Sequence, residues 1–443
     1  MNASGQKQRV NKTSTFVSIL PGVLGYSAYM DTRYDPPRIR IISAVNDRAP
    51  KKGLCFFWPP SSLNELKAKF GERLSNLTEA QKHQRLSFFA SFTFPKLTSP
   101  IEFHKTCEGH DLAYVAYYLS CVVPAQVRAP VSTVIISKSL MWSSLDQFVE
   151  LQVTSIPRIR HTTDIQDQYL DQRTAVESLK LGVCVPPLFG AVERDSLMEF
   201  IEATMVLGAN HFLFYDYEMS DDSRDLLRFY QNVGTVTVLP WGIPFPDASI
   251  WYHGQSVAIA DCLFRTMGHF DWVTFNDIDE FIVPRGEITS SGTIPEFLVA
   301  YGKLNMSGFS TIASLGFQSA IFYTPTSLVT NIKSNTFKSM ISVKRTKTVS
   351  KVLTKQIVRP ERVFELGIHH LSSALHANFT GHLVSQNIGL LHHYKECKPE
   401  PRFLINCDEF VEDKAFYRYV ERFKHRVKKT LSQLALLKLT GSS

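Results

Sequence analysis

Asn276-Asp277-Ile278-Asp279-Glu280 sets three carboxylates and a carboxamide within five residues, directly behind the apolar run Trp272–Phe275. Acids this close repel one another unless a cation sits among them. Two apart in extended backbone, Asp277 and Asp279 point the same way. Two hard oxygen donors with open positions beside them suit Mg2+ or Mn2+ bridging to a diphosphate. A bare Asp-x-Asp is common, so its meaning rests on the element that carries it.

That element is the fourth strand of an alternating series. Gly182–Pro186, His211–Tyr215, Gly234–Leu239 and Trp272–Phe275 read as short buried strands; Arg194–Leu207, Asp221–Tyr230 and Gln255–Met267 read as the helices between them. Alternation at this pitch predicts an α/β unit, a doubly wound parallel sheet that binds its ligands at the carboxyl ends of the strands. Asp216 and Gln255 stand toward that pocket as candidate nucleotide contacts, although turn and capping roles explain both equally well. Upstream, the β-type runs Ile39–Val45, Leu54–Trp58, Tyr114–Val123 and Val131–Ser137 are separated by Pro and Gly. The chain therefore divides into a polar lead-in over 1–35, a small β-rich domain over 36–165, the α/β domain over 179–400 and a tail over 401–443. Leu63–Leu86 reads as irregular or helical, and 154–178 as a linker or surface helix. In the tail, from Asp413, Phe416, Val420, Phe423, Val427, Leu431 and Leu434 form one apolar helical stripe, packed on the α/β domain. Arg418, Arg422, Lys424, Arg426, Lys428 and Lys429 make its solvated face.

Composition removes several classes. With 44 % apolar residues, 22 Gly, 22 Pro and no low-complexity tract, collagen-like, mucin-like and largely disordered chains are out. A net charge of +7 favours phosphates and nucleotides without making a nucleic-acid binder. No apolar run reaches the roughly 18 residues of a membrane span. Five Asn-x-Ser/Thr sequons, at Asn2, Asn11, Asn76, Asn305 and Asn378, exceed the roughly two that chance provides and argue for a lumenal protein. Of seven cysteines, Cys397 and Cys407 flank a Pro-rich loop they can close, and Cys55, Cys107 and Cys121 offer one bridge in the β-rich region. At least one thiol stays unpaired within the chain.

A set of motifs runs through residues 26–400: Ser27-Ala28-Tyr29 with Arg33, His253-Gly254-Gln255 with Asp261-Cys262, Asp277-Ile278-Asp279-Glu280-Phe281, Lys355-Gln356-Ile357-Val358-Arg359-Pro360-Glu361, Gly367-Ile368-His369, and His393-Tyr394 before Cys397. In this order they resemble glycosyltransferase family 92. The resemblance implies a GT-A-like nucleotide-sugar domain that moves galactose from UDP-galactose to a glycan acceptor on a glycoprotein or glycolipid. It implies β-1,4 linkages made with inversion. It implies Mn2+ or another divalent cation held by Asp279, with Asp277 on the cation or the ribose. A late His completes that set: His393 fits best, with His392 and His369 as alternatives. Lys395 and Lys398 add charge for the diphosphate or serve as plain solubilising lysines. Inversion needs a general base; Glu361 is the first choice, and Glu280, Glu365 and Asp408 are its rivals. The expected setting is the Golgi lumen, as a type II membrane protein whose anchor is absent from this chain, with homodimerisation open. Two other readings compete. A haloacid-dehalogenase-like phosphatase wants the motif behind its first strand, and Thr or Val where Phe281 stands. A lectin with an inactive transferase domain would bind glycan through the β-rich domain.

Overall fold

The computed structural model describes residues 15–57, 78, 97–127, 130–138, 149–157, 172–190, 192–286, 292–305, 309–324 and 337–440. No helix among them is long and apolar enough to cross a membrane. Most of Leu63–Leu86, the segment 158–171, and the sequons at Asn2, Asn11 and Asn76 lie outside the described residues. Gln172–Ser178 is a helix.

Arg38–Asn46 and Tyr114–Val122 are buried at every position but their ends, on both faces, and pair antiparallel inside a nine-stranded sheet. Val23–Asp31 flanks Arg38–Asn46 on its other side, with Val17–Leu20 folded against it. This corrects the lead-in assigned to 1–35: from Val17 the chain is already sheet. The turn at Gly22, with φ of +73°, joins two strands whose glycines and polar residues hide their alternation.

In the second unit Leu181–Cys184 lies between His211–Asp216 and Trp272–Phe275, all parallel, and Val236–Pro240 pairs with His211–Asp216 from outside. The order third, second, first, fourth, with a crossover helix after each of the first three strands, is the expected doubly wound, GT-A-like arrangement. Two separate cores show that both sheet faces are covered. Arg194–Val206 and Asp221–Asn232 pack with Leu181 and Val183 on one, while Gln255–Thr266 packs with Cys184, Leu213 and Val273 on the other. Residues of the β-rich sheet, among them Tyr29, Ile42 and Tyr118, join the second core, so Gln255–Thr266 is sandwiched between the two sheets. Beyond Trp272–Phe275 the sheet continues with Ser350–Val358, antiparallel, and then Ile312–Tyr323.

The sandwiched helix carries the joint between the units. Asp261, fully buried, accepts hydrogen bonds from Ser27 Oγ (2.6 Å), Tyr29 Oη (2.6 Å), Tyr215 Oη (2.7 Å) and Arg265 Nε (2.9 Å). Arg33 binds Asp31 and donates to the carbonyl of Val363 at 2.7 Å. The paired motifs Ser27-Ala28-Tyr29 and Asp261-Cys262 thus meet across the interface. Disulfides join Cys397–Cys407, the pair its loop suggested; Cys55–Cys121, one of the three pairings left open in the β-rich region; and Cys184–Cys262, which pins the first strand's end to the same helix. Cys107 is free.

The tail departs from expectation in two ways. Phe410–Glu412 is a strand paired with Lys344–Thr346, and the helix proper spans Val420–Thr440 after a 3-10 turn. Its stripe does pack on the α/β core through Phe416, Phe423 and Val427. Arg426 is not part of a solvated face: it reaches buried Glu202 at 2.7 Å.

Candidate functional site

The fourth strand stops at Phe275 and the chain turns, with Glu280 N–H donating to Asp277 O at 3.1 Å. The segment is a turn and not the extended backbone expected, and the two aspartates take different partners. Asp277 Oδ2 accepts from Lys355 Nζ at 3.0 Å, whereas Asp279 Oδ2 lies 3.2 Å from His393 Nε2. Glu280 fills the space between, 3.2 Å from Lys355 Nζ, 3.3 Å from His393 Nδ1, and accepting the Asp277 N–H at 3.1 Å. Three carboxylates are therefore interleaved with one lysine and one imidazole.

Strand pairing explains the convergence. Glu280–Pro284 runs antiparallel to Gly389–Lys395 with Glu280 opposite His393, and Ser350–Val358 lies beside the fourth strand and delivers Lys355. Burial pushes Asp279 upward, but the neighbouring His393 together with Lys395 and a backbone N–H outweigh it and hold the carboxyl below its ordinary value. Burial raises Glu280 despite Lys355, with Asp277 adding repulsion. Burial alone would lower His393; Asp279 and Glu280 reverse this and raise it. Lys355, also buried, stays charged because Asp277 and Glu280 flank it.

Strand alternation separates the histidine alternatives. His392 faces the opposite side, stacked on Phe322 at 3.9 Å with Arg285 Nη2 3.1 Å from its Nε2. His369 has Nδ1 3.1 Å from Thr354 O, and burial with nearby Lys355 lowers it to about 4. Lys395 lies near Asp279, whereas Lys398 is exposed.

Glu361 is not in this cluster. Val358 pairs with Val273, and Ser350–Val358 runs antiparallel, so Lys355 is at the carboxyl end of the fourth strand and Glu361 beyond its amino end, beside Asp271. The four-residue strand Trp272–Phe275 lies between the two, roughly 15 Å of sheet. Of its rivals, Glu280 is committed to Lys355 and His393, Glu365 binds His104 Nε2 at 2.6 Å in the domain joint, and Asp408 is exposed after the Cys397–Cys407 loop. Asp216 takes the turn role: Arg224 Nε donates to it at 2.8 Å and Met219 N–H at 3.4 Å. Gln255 is buried at the helix start and lines a narrow cleft with Tyr215, Phe275, Lys355 and Ile368.

Two features had no clear trace in the sequence reading. Lys355 heads the Lys355–Glu361 motif, but its partners come from strand register, which a motif does not display. A ring cluster also forms at the carboxyl ends of the first two strands, with Phe189 3.9 Å and Tyr217 5.0 Å from the His253 ring. Tyr252, His253 and Gly254 are all left-handed, and a Cβ at Gly254 would stand 3.2 Å from the Trp241 ring. At the acidic turn, Asp279, Lys395, Glu193, Glu396 and Tyr394 border a cavity of about 480 Å3.

The chain is 30 % identical over 309 residues to beta-1,4-galactosyltransferase galt-1 of Caenorhabditis elegans, covering 68 % of this chain and 65 % of that protein. It is 28 % identical over 113 residues to glycosyltransferase family 92 protein F13G3.3 of the same organism, covering 23 % and 22 %. The chain thus spans less than two thirds of either relative. Among solved structures, glucosyl-3-phosphoglycerate synthase from Mycobacterium tuberculosis, in complex with Mn2+, UDP and glucosyl-3-phosphoglycerate, is 13 % identical over 43 % of this chain and 61 % of that one, at a TM-score of 0.23. S. aureus TarS 1-349 in complex with UDP-GlcNAc is 12 % identical over 55 % and 65 %, at 0.26. Likenesses of that size bear on no residue here. The model of the family described as Glycosyltransferase family 92 matches residues 180–435, more than half the sequence and the unit that holds the acidic turn, and the chain belongs to that family.

Proposed function

We propose that this chain transfers a hexose, galactose, from UDP-galactose to a hydroxyl of a glycan acceptor in the Golgi lumen, forming a β-1,4 linkage with inversion. The observation that carries the reading is the pairing of Asp279, on the acidic turn at the carboxyl end of the fourth strand, with His393 of Gly389–Lys395, beside an open cavity. Carboxylate oxygen and imidazole nitrogen are a donor set that fits Mn2+. Asp279 and His393 would hold the ion, with Asp277 on the same turn. When bound, it supplies positive charge to the departing diphosphate.

The chain's own residues account for the remaining tasks. Lys395 borders the cavity and adds charge on the diphosphate side. Phe189, Tyr217 and His253 offer ring faces to the uracil or a sugar. Lys355 bonds Asp277 and Glu280 together and holds both in place. The acceptor hydroxyl must lose a proton as it attacks, and Glu193 and Glu396, the exposed carboxylates of the cavity, take over that role from Glu361.

A panel of nucleotide sugars incubated with glycan acceptors and Mn2+ tests the reading. The expected result is product only from UDP-galactose, lost with Asp279→Ala or excess chelator and regained on adding Mn2+ to the wild type. Full transfer in chelator would remove the cation, and glycan binding without turnover for any donor would make the chain a lectin.

A further inference from the structure

We propose that Cys107, Glu108 and His370 form a second metal site, for Zn2+, which clamps the β-rich unit to the catalytic unit. Each residue presents one ligand atom, and the three atoms lie within 4.8 Å of one another. Cys107 Sγ and His370 Nε2 are 3.8 Å apart. Zinc–sulfur and zinc–nitrogen bonds at a tetrahedral angle put those atoms roughly 3.6 Å apart. Thiolate, imidazole and carboxylate together select a borderline ion such as Zn2+ over Mg2+ or Mn2+. This donor set therefore differs in kind from the sulfur-free pair at Asp279 and His393.

The surroundings hold these ligands in place. Glu365 Oε1 accepts the Cys107 N–H at 2.8 Å and the Ser372 hydroxyl at 2.8 Å, while Oε2 lies 2.6 Å from His104 Nε2. Both Glu108 oxygens are 3.0 Å from the Ile368 N–H. Gly367 makes the approach possible, since a Cβ there would come within 2.7 Å of His370 Cε1 and 2.9 Å of Glu108 Oε1. Cys107 is the one cysteine of seven outside a disulfide, which leaves its sulfur available to a metal. Cys107 and Glu108 come from the amino-terminal unit and His370 from the catalytic one, so the ion would close the joint. His370 directly follows His369, whose ring stands by Lys355 and Asp277 in the acidic cluster. The clamp thus holds the segment that backs the catalytic turn.

The test uses the whole chain and two metal salts. Zn2+ at slight molar excess should slow alkylation of Cys107 by about tenfold or more, since a metal-bound thiolate is withdrawn from reaction. Co2+ should give a thiolate-to-metal charge-transfer band, which no ion at the acidic turn can produce. Cys107→Ser should abolish that band. His370→Ala should weaken it, and Glu365→Gln, acting through the Cys107 backbone, should lower affinity by roughly 10–100-fold. Cys107 and His370 are exposed, so both variants should fold, and the alkylation arm needs no variant. Unchanged alkylation in Zn2+, or a Co2+ spectrum without the band, overturns the proposal even if transfer activity proceeds as proposed above.

Discussion

Replacing Asp261 by alanine should loosen the joint between the two sheets. The carboxylate receives Tyr29 and Tyr215 hydroxyls at 2.6 and 2.7 Å, and both tyrosines are buried to about 1 % exposure. Without it each hydroxyl is left unpaired away from water, at about 1–3 kcal/mol apiece. Arg265, 30 % exposed, can recover hydration, so its loss adds little. Loss of the charge-assisted character of these bonds brings the expected destabilisation to about 3–6 kcal/mol, a large share of the roughly 5–15 kcal/mol that holds an ordinary domain together. Trp241 reports on this region, its ring 5.0 Å from that of Tyr215. Urea unfolding followed by tryptophan fluorescence should show a midpoint moved sharply down for Asp261→Ala. Asp261→Asn, which keeps one acceptor, should lose less than half as much. If Asp261→Ala unfolds within about 1 kcal/mol of wild type, the joint is held by something else and the anchoring role of the Ser27-Ala28-Tyr29 motif fails.

Lys355→Met should destabilise by about 3–5 kcal/mol, because Glu280 would remain buried beside Asp277 with its cation gone; Lys355→Met with Glu280→Gln should recover much of this, and a double-mutant cycle with no coupling would contradict the geometry. Asp413 is held at about 2: burial alone would raise it, but His392, Arg285 and Arg345 outweigh burial. A depressed folded value stabilises above the ordinary carboxyl range and is lost as pH falls toward 2, so Asp413→Asn should cost about 2 kcal/mol near pH 7 and close to nothing near pH 2, as read by denaturation at each pH. Glu361→Gln should leave turnover within about twofold, since it lies beyond the amino end of the fourth strand, roughly 15 Å from the acidic turn; a hundredfold fall in kcat would place the acceptor at the wrong end of the sheet.

Local pattern alone was enough for the strand Trp272–Phe275, the helix starting at Gln255 and the acidic motif behind the fourth strand, because apolar runs, helical spacing and charge are written in neighbouring residues. Val17–Leu20 and Val23–Asp31 are hard to read as strands because Gly22 and Gly25 interrupt their alternation; pairing with each other, and of Val23–Asp31 with Arg38–Asn46, makes them sheet. Sequence order also misled over Glu361. It follows Lys355 by six positions, yet a strand carries residues along a line, and its antiparallel direction takes Glu361 away from the turn that receives Lys355. The same holds for His393 over His392: adjacent residues face opposite sides of a strand, and which side meets Asp279 depends on the partner strand's register. What the chain by itself determined was which residue types are present and what local backbone they favour. Which carboxylate meets which cation was decided by pairings between segments 75 to 114 residues apart, since a side chain's neighbours follow from strand direction and register rather than from distance along the chain.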